Sequence, residues 1–278
     1  MSRQIIVAEN AGFCFGVKRA VDMTDEYNKK RESKVYTLGP LIHNDDVVRN
    51  LEEQGIFRID INDIAKLKPE DTVVIRSHGV TPETIDLLKQ TGAKIMDATC
   101  PYVTSIQKKA RKYYREGYQI VIVGDRNHPE VIGINGWCNN TALVTKDGSE
   151  LKEIPSKVCV LSQTTEKQSN YKKTLKKVSQ LADEVLTFNT ICSATNERQG
   201  SADEVSKIVD LMVVIGGKQS SNTRKLFEIC SANCKNTLLV ENAKELPEWA
   251  VTNKELSTIG VTAGASTPDW VITEGINK

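Results

Sequence analysis

The feature that most constrains this chain is a cysteine that recurs with its surroundings. AGFCFGVKRAVD at Cys14, DATCPYVTSIQKKA at Cys100 and NTICSATNERQGSADE at Cys192 each set a cysteine after an apolar stretch and before a helix-like run, 86 and 92 residues apart. The same ruler finds a second set of loops. His43, His128 and Ser220 lie 29, 28 and 28 residues beyond those cysteines, each four residues after a glycine that ends an apolar run. A third set follows at His78, Thr164 and Ser266, 64, 64 and 74 residues beyond. A fixed period on this scale means one supersecondary unit used three times.

The unit is of the α/β type. Short apolar runs (VYTLG, TVVIR, KIMDA, QIVIVG, VCVLS, LMVVIGG, TLLVEN, STIGVT) alternate with polar loops and helix-period segments such as residues 82–90, 103–114 and 170–182. Strands alternating with helices predict small parallel sheets with crossover helices. The expected division is 1–96, 97–189 and 190–278, each unit contributing one cysteine and two polar loops. Thr81-Pro82-Glu83 and Thr267-Pro268-Asp269 read as an N-cap, a proline at the first helical position and a first-turn carboxylate. The marked loops thus lie between strand ends and helix N-termini, where open α/β sheets place ligands. A pseudo-three-fold arrangement would bring them to one centre.

Charge and composition remove other classes. Thirty-seven Lys and Arg against 36 Asp and Glu leave a formal charge of +1, so no global field draws in nucleic acid or a membrane surface. The aromatic content of 5% is too low for base-stacking platforms. The apolar runs fall far short of the ~20 residues of a membrane span, and the first residues lack a signal-peptide pattern. A cytoplasmic location is expected, with the seven scattered cysteines as thiols or metal ligands.

Three equivalent cysteines suit a [4Fe–4S] cluster that keeps one iron open. Zinc more often takes close Cys pairs, and the only such pair is Cys230-x₃-Cys234 on a helix-like stretch. Cys138, Cys159, Cys230 and Cys234 read as small buried hydrophobes. All three histidines of the chain, His43, His78 and His128, fall in the repeated loops. With Thr164, Ser220, Ser221, Asn222 and Ser266 they make a lining of hydrogen-bond donors with few Lys or Arg, which fits a phosphate or diphosphate, histidine cations adding charge. Glu130, two residues after His128, would deliver protons near neutral pH if its site is dry. Neither a G-x₄-G-K-[ST] loop nor a G-x-G-x-x-G fingerprint is present.

Together GFCFGVKRAV, LGPLIHN, RSHGV, DATCPYV, NHPEV, SQTT, ICSATNERQ, SSNTRKL and VTAGAS, running in order from Gly12 to Asp269, resemble the 4-hydroxy-3-methylbut-2-enyl diphosphate reductase family. The resemblance implies a trefoil of three α/β domains around an iron–sulfur cluster held by Cys14, Cys100 and Cys192. It implies diphosphate binding by His43, His78, Ser220, Ser221, Asn222 and Ser266, with His128 also lining the pocket, and a proton relay of Glu130 with Thr164 near the substrate hydroxyl. The activity implied is reductive dehydroxylation of the allylic diphosphate to isopentenyl and dimethylallyl diphosphate, fed by a one-electron donor such as ferredoxin or flavodoxin. Some members carry a fused RNA-binding extension, and none is expected after Lys278. The competing readings are another three-cysteine cluster enzyme such as a quinolinate synthase, which would need carboxylate-binding groups, and a redox or metal sensor, which would not need the polar lining.

Overall fold

Runs of β-branched and aliphatic residues only four to six long, bounded by glycine and polar loops, are too short for buried helices and form strands buried on both faces. The computed structural model describes residues 3–30 and 33–278. In chain order its elements are β1 (Gln4–Val7), α1 (Phe15–Lys29), β2 (Val35–Leu38), α2 (Asp45–Glu53), β3 (Ile56–Ile59), β4 (Thr72–Ile75), α3 (Pro82–Gln90) and β5 (Lys94–Asp97). Then come α4 (Pro101–Arg115), β6 (Gln119–Val123), α5 (Pro129–Gly136), β7 (Leu143–Thr145), β8 (Lys157–Ser162), α6 (Gln168–Val178) and β9 (Glu184–Thr187). The last are α7 (Ser193–Ser206), β10 (Leu211–Ile215), α8 (Ser221–Asn233), β11 (Thr237–Val240), α9 (Glu248–Thr252), β12 (Thr258–Ala263) and α10 (Asp269–Asn277).

The strands form three four-stranded sheets ordered β3-β2-β4-β5, β7-β6-β8-β9 and β11-β10-β12-β1, with parallel pairing throughout. Written this way the three orders are the same, and the repeat in the sequence is a repeat of topology. Its phase differs from the expected division. β1, inside the expected first unit, pairs with β12 and closes the third sheet. Each cysteine therefore follows the last, outer strand of a sheet: Cys100 comes after β5, Cys192 after β9 and Cys14 after β1. The chain separates into two compact units, 18–41 with 50–192, carrying β2–β9, and 1–17 with 42–49 and 193–278, carrying β1 and β10–β12.

Alternation along each central strand fills both faces of its sheet. In β6, Ile120 and Ile122 pack with Ile106, Val131 and Ile134 of α4 and α5, while Val121 and Val123 pack on the other face with Tyr171 and Val178 of α6. In β10, Leu211, Val213 and Ile215 face Val271 and Ile272 of α10, and Met212 and Val214 face Ala202, Leu226 and Cys230 of α7 and α8. Helix α3 is capped as expected, with Thr81 accepting from the amide of Thr84 at 3.3 Å and Pro82 at the first position. Helix α10 departs from expectation. Pro268, not Thr267, is its N-cap, because the Thr267 hydroxyl donates inward to the Ile215 carbonyl at 3.1 Å. Among the described residues no helix is long and apolar enough to cross a membrane.

Candidate functional site

In a parallel sheet every strand ends on the same edge, so the loops after the two central strands and the outer strand gather there. In the β7-β6-β8-β9 sheet those loops carry His128, Thr164 and Cys192. His128 is the N-cap of α5, with Pro129 at the first position, and its Nδ1 accepts the Glu130 amide at 3.1 Å. In that contact Nδ1 is the acceptor and Nε2 is the ring's remaining polar atom. Glu130 is 2% exposed. One carboxylate oxygen accepts the Thr164 amide at 2.6 Å and the other the Thr164 hydroxyl at 2.7 Å. Two hydrogen bonds from one residue fix the carboxylate plane, which a long side chain would otherwise sample freely. His78, at the end of β4, meets the His128 ring edge to face with centroids 5.3 Å apart.

The β11-β10-β12-β1 sheet carries Ser220, Ser221, Asn222, Ser266 and Cys14 at the corresponding ends. Ser220 caps α8 by accepting the Thr223 amide at 3.3 Å. The Ser266 hydroxyl donates to the His43 carbonyl at 3.0 Å. Gly217 lies so close to that carbonyl that a Cβ there would sit 2.5 Å from its oxygen, so only glycine lets the two loops meet. Asn222 is 3% exposed, and among the described residues neither its Oδ1 nor its Nδ2 has a hydrogen-bond partner. Burying an amide without partners costs about 1–3 kcal/mol. Such a group in a helix first turn is a candidate to engage a polar ligand.

The cysteines fall into two classes. Cys138, Cys159, Cys230 and Cys234 are buried inside the apolar clusters. Burial pushes the thiols of Cys138, Cys159 and Cys230 up to about 11, 12 and 12. They cannot supply thiolates at neutral pH. Cys14, Cys100 and Cys192 are the three left partly exposed. Their backbones share one device. The Cys100 amide donates to Ser77 O at 3.0 Å, the Cys192 amide to Thr164 O at 3.0 Å and the Cys14 amide to Ala265 O at 3.2 Å. Each cysteine is thus tied to the loop that holds His78, Thr164 or Ser266. The donor chemistry of these three fits an iron–sulfur cluster, and that of the buried four does not.

Two residues with no earlier signal belong to these loops. Gln163 is fully buried, accepts the Asp125 amide at 3.0 Å and donates to the Thr165 hydroxyl at 3.0 Å, so it ties the loop after β6 to the loop after β8. Arg76, at the end of β4, has a buried Nε without a partner among the described residues, and burial holds its pKa below the usual guanidinium value. Spacing alone could have pointed to Gln163, which adjoins Thr164. Nothing in the sequence separates Arg76 from a surface arginine.

The family model described as LytB protein matches residues 5–278. The chain belongs to the LytB family. It is 56% identical over 278 residues to the 4-hydroxy-3-methylbut-2-enyl diphosphate reductase of Clostridium perfringens (strain 13 / Type A), a match that covers 100% of this chain and 99% of that protein. The solved structure of (E)-4-hydroxy-3-methyl-but-2-enyl diphosphate reductase, the terminal enzyme of the non-mevalonate pathway, shares 43% identity with a TM-score of 0.70, covering 99% of this chain and 98% of that one. The E-1-hydroxy-2-methyl-but-2-enyl-4-diphosphate reductase from Plasmodium falciparum shares 25% identity with a TM-score of 0.91, covering 100% and 88%. LytB enzymes use an iron–sulfur cluster.

Proposed function

We propose that this chain removes the hydroxyl of 4-hydroxy-3-methylbut-2-enyl diphosphate reductively, giving isopentenyl and dimethylallyl diphosphate. The observation that carries this reading at the residue level is the buried Glu130 carboxylate, fixed by Thr164 beside His128, on a chain whose relatives bear that reductase name. Cys14, Cys100 and Cys192 would hold a [4Fe–4S] cluster with one open iron. When bound, that group supplies electrons one at a time and a Lewis-acidic metal.

The chain's own residues do the rest. The allylic alcohol takes up two electrons and two protons and leaves as the deoxygenated diphosphate plus water. His43, His78, Ser220, Ser221, Asn222 and Ser266, with His128, would bind the diphosphate, and the energy of holding that tail would place the alcohol for reaction. The Asn222 amide, with both polar atoms awaiting partners, is the least costly group to engage. Glu130 would pass a proton to the departing hydroxyl, and Thr164, bonded to it through both amide and hydroxyl, would hold the carboxylate toward that oxygen. With Nδ1 engaged by the Glu130 amide, His128 would offer its Nε2 edge to the substrate.

We further propose that the three sheets with their helices are the three units of the repeat, with β1 belonging to the third. The enzyme would work in the cytoplasm and take its electrons from a ferredoxin or flavodoxin. The test is anaerobic reduction of the substrate by reconstituted protein with an artificial one-electron donor, products identified by mass spectrometry. Both five-carbon diphosphates are expected. Intact cluster without turnover would overturn the assignment.

A further inference from the structure

Helix α4 starts on a candidate cluster ligand, with Cys100 as its N-cap and Pro101 as its first residue. Its fifteen residues include Lys108, Lys109, Arg111, Lys112 and Arg115 and no acidic residue. The whole chain carries a formal +1, so this is a local concentration of positive charge. Lys108, Arg111, Lys112 and Arg115 are exposed and follow i, i+3, i+4, i+7, which sets them in one row on one face, while Val103, Ile106, Gln107 and Ala110 are buried on the other. Glu116 meets Lys112 at 4.0 Å, Asp97 lines the cavity beside the row, and Glu83 and Asp86 border the neighbouring pocket with Arg111 and Arg115, so carboxylates rim the row while its outer face stays cationic.

The row borders a cavity of about 610 Å³ whose apolar wall includes Ile75, Val80, Ile85 and Trp137. Trp137 is fixed by its indole N–H, which donates to the Val80 carbonyl at 3.1 Å, and Arg111 lies over its ring at 5.6 Å from the centroid. Tyr102, in the first turn, is 47% exposed. At 1.5 Å per residue the cationic row begins roughly 12 Å along the axis from Cys100 and ends roughly 22 Å away. This face combines an aromatic anchor, arginine and a cationic rim, the composition of a protein-docking surface. Helix α6 is the useful contrast. Lys172, Lys173, Lys176 and Lys177 make it as basic, but its N-cap is Lys167, it carries no cysteine, and Lys173 faces Asp147 at 4.0 Å.

We infer that the α4 face bearing Lys108, Arg111, Lys112 and Arg115 docks a small acidic one-electron carrier protein, with the carrier's redox group turned toward the Cys100 end. The inference rests on the reductase reading above, which requires two electrons per substrate. Two reduced carriers would each be oxidised by one electron for every alcohol converted, and opposite charge would steer their encounter.

The experiment compares the holoenzyme with a variant carrying Lys108→Gln, Arg111→Gln, Lys112→Gln and Arg115→Gln, and with a matched α6 variant carrying Lys172→Gln, Lys173→Gln, Lys176→Gln and Lys177→Gln. Binding of an acidic flavodoxin is read by titration calorimetry, and turnover is read separately with that flavodoxin and with reduced methyl viologen. The α4 variant is expected to bind flavodoxin at least about tenfold more weakly with a flatter salt dependence. Its viologen turnover should stay within about twofold, and the α6 variant should match the parent protein. Unchanged flavodoxin affinity in the α4 variant, or an equal loss in the α6 variant, would overturn the assignment. If the fourfold variant fails to fold, Lys108→Gln and Lys112→Gln singly, with a salt titration of the unmodified holoenzyme, decide the same question. Salt-independent flavodoxin binding would overturn it. Absent viologen turnover in the unmodified holoenzyme would instead count against the reductase reading, since calorimetry reads docking without it.

Discussion

The β6–β9 sheet and the β10–β12 sheet share a strand order, yet the polar groups at their strand ends are in opposite states. Around β6 and β8 they are satisfied: Glu130 receives two hydrogen bonds from Thr164, His128 accepts the Glu130 amide, and Gln163 bridges two loops. Around β10 and β12 a buried amide, Asn222, has no partner among the described residues, the Ser220 hydroxyl is spent on capping α8, and the Ser266 hydroxyl on the His43 carbonyl of another loop. A satisfied network is rigid before substrate arrives, as a group that must hand over a proton at a set place needs to be. An unsatisfied amide is one that a polar ligand can complete. On the proposed function, one scaffold would carry a preorganised proton site on one sheet and a ligand-completed site on another.

Variants can break this contrast. Glu130→Gln keeps the shape and loses the proton, so turnover should fall by roughly 10²- to 10⁴-fold while substrate affinity stays within a few-fold, measured by steady-state kinetics and calorimetry. A matching loss of affinity would place Glu130 in binding instead. Asn222→Ala should do the reverse and weaken substrate binding by about 1–3 kcal/mol. Saturated turnover should survive, and the melting temperature should not fall, since the variant removes a buried amide that has no protein partner. Thr164→Val removes one of the two bonds that fix Glu130, and about a tenfold loss in turnover is expected, well below that of Glu130→Gln. The smallest catalytic effect belongs to the core cysteines. Cys159→Ser should cost about 1–3 kcal/mol of stability by burying a hydroxyl in an apolar cluster, with iron content and turnover retained, whereas Cys100→Ser should lose iron.

The central architecture is legible because it rests on periodicity. The strands at the middle of each sheet, β2, β4, β6, β8, β10 and β12, are apolar runs buried on both faces, and all stand out in the sequence. The strands that escape notice are outer ones, such as β3 (IFRI, with Phe57 and Arg58 exposed) and β7 (LVT), too short and too mixed to show a pattern. β1 escapes for the same reason, and that omission shifts the phase of the repeat. A parallel partner 254 residues away in sequence leaves no local mark on QIIV. The spacing marks His128, Glu130 and Thr164, but the bonding among them depends on loops from two strands meeting. The inward turn of Thr267 and the buried state of Arg76 are likewise products of packing rather than of residue type.

The most direct measurement is a paired determination of kcat and substrate Kd for Glu130→Gln and Asn222→Ala in anaerobic, cluster-loaded protein. The account predicts a crossed result, with kcat collapsing and Kd held in the first, and Kd weakened and kcat held in the second. Loss of kcat and Kd together in both variants would contradict it, because the two sheets would then be acting as one undivided site.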